Sequence, residues 1–172
     1  MKAYIPSPSL SFFDAIELAL SRLTDFNTRS RRSEFWWFGL AYFIVAKSLT
    51  GIIGFFTSLG VSEIISNLLL FFMYGVTVRR LQDGGHSKWW VIISWIAQAA
   101  YSYAFVNYDF LYALTRVNRD MESIVRAFMD PVLLLPSLVL IITGLAILVF
   151  CLMDGRPEEN KYGKSPKYTP AE

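Results

Sequence analysis

Apolar residues gather into four stretches separated by short polar ones: Phe35 to Ser58, Ile64 to Val78, Trp89 to Val106 and Val132 to Met153. A hydrocarbon core about 30 Å thick needs roughly 20 helical residues at 1.5 Å each, so the pattern predicts transmembrane helices. The first and last stretches are long enough as they stand. The second becomes long enough if Ser62 and Glu63 cap its outer end while Arg79 and Arg80 snorkel from its inner end. The third fits if it stands nearly upright. The predicted spans are therefore 35–58, 62–81, 89–106 and 132–153.

Two further segments carry a helical period without being apolar enough to span. Leu10, Phe13, Ile16, Leu20 and Leu23 recur at three to four residues, and Ser11 followed by Asp14 resembles a capping box, which predicts an interfacial amphipathic helix over 9–26. Phe110, Leu114, Val117, Met121, Ile124 and Phe128 alternate spacings of four and three. They predict an extracytoplasmic amphipathic helix over 108–129, resting on lipid, on its own bundle or on a partner. Asp130 and Pro131 then read as the N-cap and first residue of the fourth span.

Composition narrows the class. A chain of 172 residues that is 54% hydrophobic and 17% charged is too apolar for an ordinary soluble domain and too short for two, so one membrane domain with a polar tail over 154–172 is expected. The net charge of +2 provides no bulk field for nucleic acid. Cys151 is the sole cysteine and His86 the sole histidine. An intramolecular disulfide, a cysteine-based zinc site and a histidine-centred triad are therefore all excluded. No metal, cofactor or catalytic residue is expected. The N-terminal segment carries Pro6, Pro8 and acids where a signal peptide would be continuously apolar, so the first span itself is expected to direct insertion.

The positions of the basic residues set an orientation. Lys2, Arg22, Arg29, Arg31, Arg32, Arg79, Arg80, Lys88, Arg156, Lys161, Lys164 and Lys167 fall on one side of a four-span chain, and only Arg116, Arg119 and Arg126 on the other. This bias predicts that both termini face the cytoplasm. Trp36, Trp37, Trp89 and Trp90 cluster at the same inner boundary, where amphipathic rings belong.

Three polar motifs converge on that boundary: RSRRSEFW from Arg29, RRLQDGGHS from Arg79, and NKYG from Asn160. Asp83-Gly84-Gly85 has the chemistry of a tight turn. Arg29, Arg31, Arg32, Arg79 and Arg80 could cradle lipid phosphates or an acidic partner. Glu34 and Asp83 would hold their guanidinium planes, with Asn160 and Tyr162 nearby. The plainer reading is positive-inside anchoring with internal ion pairs. Taken in order, RSRRSEFWWF, VRRLQDGGHSKWW and ENKYGKSP resemble the domain-of-unknown-function family 805 of small bacterial membrane proteins. The resemblance implies a bacterial cytoplasmic-membrane location and no established activity. Gln82 stands where that family usually has histidine, which removes the side chain a proton-transfer role would use.

Lys47 is the least expected residue of the spans. It lies roughly 18 Å beyond Phe35 along the helix, near the bilayer midplane, and Gln98 and Thr143 fall within a few Å of that depth. Such a layer lines a hydrated path or is satisfied inside the bundle. Glu63 is expected near the outer edge, away from it. The sequence thus predicts an all-α membrane protein with four transmembrane helices and two amphipathic ones. It is expected to be a non-enzymatic structural or accessory protein contacting anionic lipid, a membrane-protein partner or further copies of itself. The alternative is an oligomeric channel or transporter using Lys47 and Gln98.

Overall fold

The computed structural model describes residues 3–107, 122, 125, 126 and 129–171. Within them the chain runs β1 (Tyr4–Pro6), α1 (Phe12–Ser21), α2 (Arg32–Phe56), α3 (Leu59–Asp83), α4 (Trp89–Asn107), α5 (Pro131–Leu152) and β2 (Tyr168–Pro170). Helix α1 lies along α2, α2 packs chiefly on α3, and α4 chiefly on α5. β1 and β2 pair antiparallel, with Tyr4 opposite Pro170 and Pro6 opposite Tyr168, so the two end segments of the chain meet.

Local chemistry sets the helix limits. Ser11 accepts from the Asp14 N–H and donates to the Asp14 carboxylate, the reciprocal cap expected at the start of α1. α1 stops at Ser21, short of the expected 26. Beyond it Asp25 draws in the Asn27 N–H and the Thr28 hydroxyl, local bonds that compete with the helical ladder. Asp130 accepts from the Val132 N–H, with Pro131 at the first helical position of α5. The expected outer helix over 108–129 lies outside the described residues, apart from Glu122, Val125, Arg126 and Met129.

One expected boundary needs correction. Only Thr57 and Ser58 separate α2 from α3, so α3 begins at Leu59 and Ser62 and Glu63 lie inside the helix rather than capping it. At its other end α3 closes with a Schellman motif. The His86 N–H bonds the Leu81 carbonyl at 2.8 Å and the Gly85 N–H bonds the Gln82 carbonyl at 3.0 Å. This requires Gly85 at φ 81°, a conformation glycine adopts without a Cβ clash.

The distribution of polarity is inverted relative to a soluble protein. Among the largest fully buried side chains are Arg79, Arg80, Gln82 and Glu34, whereas Phe55 is 85% and Phe56 78% exposed. Ile44, Val45, Ile52, Leu68, Ile141 and Leu145 are likewise exposed around the helices. A soluble chain does not leave so continuous an apolar surface uncovered, whereas lipid tails cover it at no cost. Helices over Arg32–Phe56, Gly60–Asp83 and Pro131–Leu152 are each long and apolar enough to cross a membrane.

Candidate functional site

Helix ends leave carbonyls without partners, and at one end of this bundle three buried arginines collect them. Arg80 donates to the Cys151 carbonyl at 3.3 Å and to that of Met153, closing the end of α5. Arg79 donates to the carbonyls of Arg22 and, at 3.0 Å, Asp25, fixing the segment after α1. Arg29 donates to Glu158 at 2.8 Å, Gly163 at 3.1 Å and Arg156, gathering the chain beyond α5.

Two carboxylates offset two of these three charges. Asp83, the last residue of α3, takes the Arg29 guanidinium on Oδ1 at 2.9 Å and that of Arg80 on Oδ2 at 2.6 Å. Glu34, in the first turn of α2, takes Arg79 at 3.1 Å. Exposure of the five side chains is 3% or less. Burying each ion costs several kcal/mol, and the cost is met only where geometry and further hydrogen bonds are both good, as the carbonyl contacts provide here. Gln82 adds a bond to the Phe26 carbonyl at 2.7 Å, and Asn160 reaches the Gln82 carbonyl at 3.0 Å. The result is a clasp that ties the start of α2 to the ends of α3 and α5.

The clasp corrects the expected phosphate cradle. Arg29, Arg79 and Arg80 have no surface to offer a lipid, because they are buried and, Arg79 Nε apart, their donors are turned onto carboxylates and carbonyls. Arg31 also spends its guanidinium on the Ser7 and Pro8 carbonyls, and Tyr162 lends a backbone N–H to Asn160 Oδ1. Arg32 is different. Its side chain is 46% exposed beside Asp154 at 3.3 Å. The segment after α5, expected as a polar tail, is docked by Arg29 and by β2. Lys167 contributes a bridge to Asp154 at 2.9 Å. The hydrogen bond from Lys167, then the nearby Arg32, hold the Asp154 carboxyl below its ordinary 3.8, while bonds with Tyr168 and Asp154 hold the Lys167 amine above its ordinary 10.5. Both partners are therefore ionised around neutral pH.

His86 stacks on Phe150 with ring centroids 3.8 Å apart, and Trp90 meets Phe150 edge-on. Burial, then the neighbouring Arg156 and Arg80, push the His86 imidazole below its usual value, so it packs as a neutral ring. Trp36, Trp37 and Trp89 stay 40–61% exposed around the same end of the bundle.

A second polar cluster lies between the spans. Lys47 and Gln98 line one cleft of about 230 Å³ with Glu63, Ser66 and Asn67. Thr143 is not part of it. Its hydroxyl bonds the Val139 carbonyl of its own helix at 2.7 Å. The expectation that Glu63 sits apart from this layer is also corrected, because α3 starts early and carries Glu63 inward. Asn67 and Ser102, which complete the cluster, were not among the expected site residues. Each lies four residues from a polar partner, Glu63 or Gln98, and that spacing was the available signal.

Among the described residues, apolar helices of spanning length carry a buried charge cluster at one end and a single short strand pair, the architecture of an all-helical membrane protein. Residues 23–164 match the family model described as Protein of unknown function (DUF805). The chain belongs to that family, and the matched region contains the charged side chains of the clasp and the whole cleft. No curated protein and no solved structure matches it.

Proposed function

We propose that this protein is a four-pass, non-enzymatic protein of the bacterial cytoplasmic membrane. It would serve as a structural or accessory protein whose rigid inner face contacts anionic lipid or the acidic face of a membrane partner. The observation that carries this reading is the pairing of β1 with β2 beside the clasp. End segments that share a two-stranded sheet lie on the same side, which calls for an even number of crossings. α4, with 19 residues and no charge, then makes the fourth alongside the three more apolar helices. The excess of lysine and arginine at the clasp end supports a cytoplasmic position for it. Engagement of Glu34 and Asp83 in buried ion pairs supports a scaffolding rather than a catalytic use of those carboxylates.

With the buried arginines occupied, the contact surface passes to the exposed Lys88, Lys161 and Lys164 and to the tryptophans at the rim. Replacing those three lysines with glutamine is expected to lower the preference for phosphatidylglycerol over phosphatidylcholine by about fivefold per charge. The measurement is quenching of tryptophan fluorescence by brominated lipids in reconstituted vesicles, since Trp36, Trp37 and Trp89 report on this boundary. Equal quenching preference in wild type and triple variant would remove lipid contact from the reading. A channel or transporter formed between protomers keeps one supporting observation, that Lys47 and Gln98 line the same cleft.

A further inference from the structure

An ammonium and a carboxylate inside the apolar spans would ordinarily be expected to neutralise each other. Here Lys47 of α2 and Glu63 of α3 border the same space without forming an ion pair among the described residues. The cleft of about 230 Å³ shares Lys47, Thr50, Glu63 and Ser66 with a wider one of about 480 Å³, which adds Gly51, Gly54 and Ser62 toward the α2–α3 hairpin. A polar recess thus descends from the hairpin end to Lys47. A Cβ at Gly51 would meet nothing within 4 Å, whereas one at Gly54 would come within 3.2 Å of Ser62 Oγ.

The walls are chemically sorted. Ser102 donates to Glu63 Oε2 at 3.0 Å and accepts from Asn67 Nδ2 at 2.9 Å and Gln98 Nε2 at 3.1 Å. These bonds hold the carboxylate on the α3–α4 wall and use the Asn67 amide nitrogen. The amide oxygen Oδ1 of Asn67 is left buried without a partner. One wall therefore offers the Glu63 carboxylate, and the facing wall offers the Lys47 donor. A simple anion would be repelled by Glu63 and a simple cation by Lys47. A group carrying an anion next to a primary ammonium satisfies both walls together.

We propose that this recess binds a zwitterionic head group of the phosphoethanolamine type, with its anion on Lys47 and its ammonium on Glu63. The proposal depends on α2 and α3 lying in the bilayer and is independent of the inner-face lipid contact. The head group could belong to phosphatidylethanolamine or to a soluble molecule, and the experiment separates the two. The full chain is placed in phosphatidylcholine nanodiscs containing a minor fraction of phosphatidylethanolamine, and the retained lipids are identified by native mass spectrometry. Phosphatidylcholine is the contrast because its quaternary ammonium has no N–H to donate. In parallel, glycerophosphoethanolamine is added to all-phosphatidylcholine nanodiscs and the melting temperature is followed.

Wild type and Lys47→Arg are expected to retain the ethanolamine lipid selectively, whereas Lys47→Met and Glu63→Gln lose that selectivity by about tenfold. Ser66→Leu, which fills the recess without touching the hydrogen-bonded network, should lose it too and covers the case in which the charge variants do not fold. A rise in melting temperature with the soluble head group, reduced in the same variants, supports the proposal with a soluble source. Selective retention without that rise supports it with the lipid as source. Wild type showing neither effect, or selectivity that persists in Lys47→Met, Glu63→Gln and Ser66→Leu, would overturn it.

Discussion

Asp83→Asn is expected to destabilise the protein by about 3–5 kcal/mol, the range found when one partner of a buried ion pair is removed. Asp83 is 2% exposed and is the carboxylate between Arg29 and Arg80, themselves 3% and 1% exposed. Asparagine keeps one acceptor oxygen but turns an N–H₂ toward one of the two guanidinium groups. Two buried cations would then share one neutral oxygen. Because Arg29 also holds the Glu158 and Gly163 carbonyls, the damage should spread to the segment after α5. In detergent micelles the variant should melt well below wild type, and its C-terminal segment should become sensitive to protease before the helices do. Asp154→Asn provides the contrast. That carboxylate is 47% exposed, and its loss should change stability little. A wild-type melting temperature for Asp83→Asn would show that the clasp does not hold the inner end together.

Gly155→Ala is expected to cause a loss of similar size without removing any charge. A Cβ at position 155 would lie 1.8 Å from Asp83 Oδ2 and 2.4 Å from its Cγ, so the carboxylate and the alanine cannot both occupy their places. Either Asp83 leaves the two arginines or the backbone around 155 lifts away, and the Arg156 N–H then loses its 3.1 Å bond to the Asp83 carbonyl. Because both substitutions act on one carboxylate, their effects should be strongly non-additive. The double variant is expected to be little worse than Asp83→Asn alone, a deviation a double-mutant cycle in thermal unfolding reads directly. Gly144→Ala, where a Cβ would meet nothing within 4 Å, should be neutral or slightly stabilising. Full additivity of Gly155→Ala and Asp83→Asn would mean that position 155 acts elsewhere.

Much of the fold was legible because lipid imposes a simple requirement on length and polarity. The apolar stretches, the capping pairs Ser11–Asp14 and Asp130–Pro131, and the tight turn at Gly85 are all local, and each has its own chemistry in the sequence. What could not be read locally was which way an arginine faces. Arg79 and Arg80 look the same in sequence whether they reach lipid or fold inward, and the choice rests on carbonyls at Arg22, Asp25, Cys151 and Met153, distant in the chain. The docking of residues 156–163 has the same origin, since nothing around Glu158 announces that its carbonyl will meet Arg29. For the cleft, the shift came from one short connection. With only Thr57 and Ser58 in the hairpin, Glu63 lies inside α3, where it shares a space with Lys47.

The decisive test of the threading is labelling of single introduced cysteines with a membrane-impermeant maleimide in intact bacterial cells, with buried Cys151 left in place. Positions Ser58, in the hairpin between α2 and α3, Met129, just before α5, and Lys164, in the docked C-terminal segment, report the three relevant levels. A four-crossing chain with a cytoplasmic clasp gives labelling at 58 and 129 from outside, and at 164 only after permeabilisation. Labelling at 164 in intact cells, or opposite behaviour of 58 and 129, would contradict it.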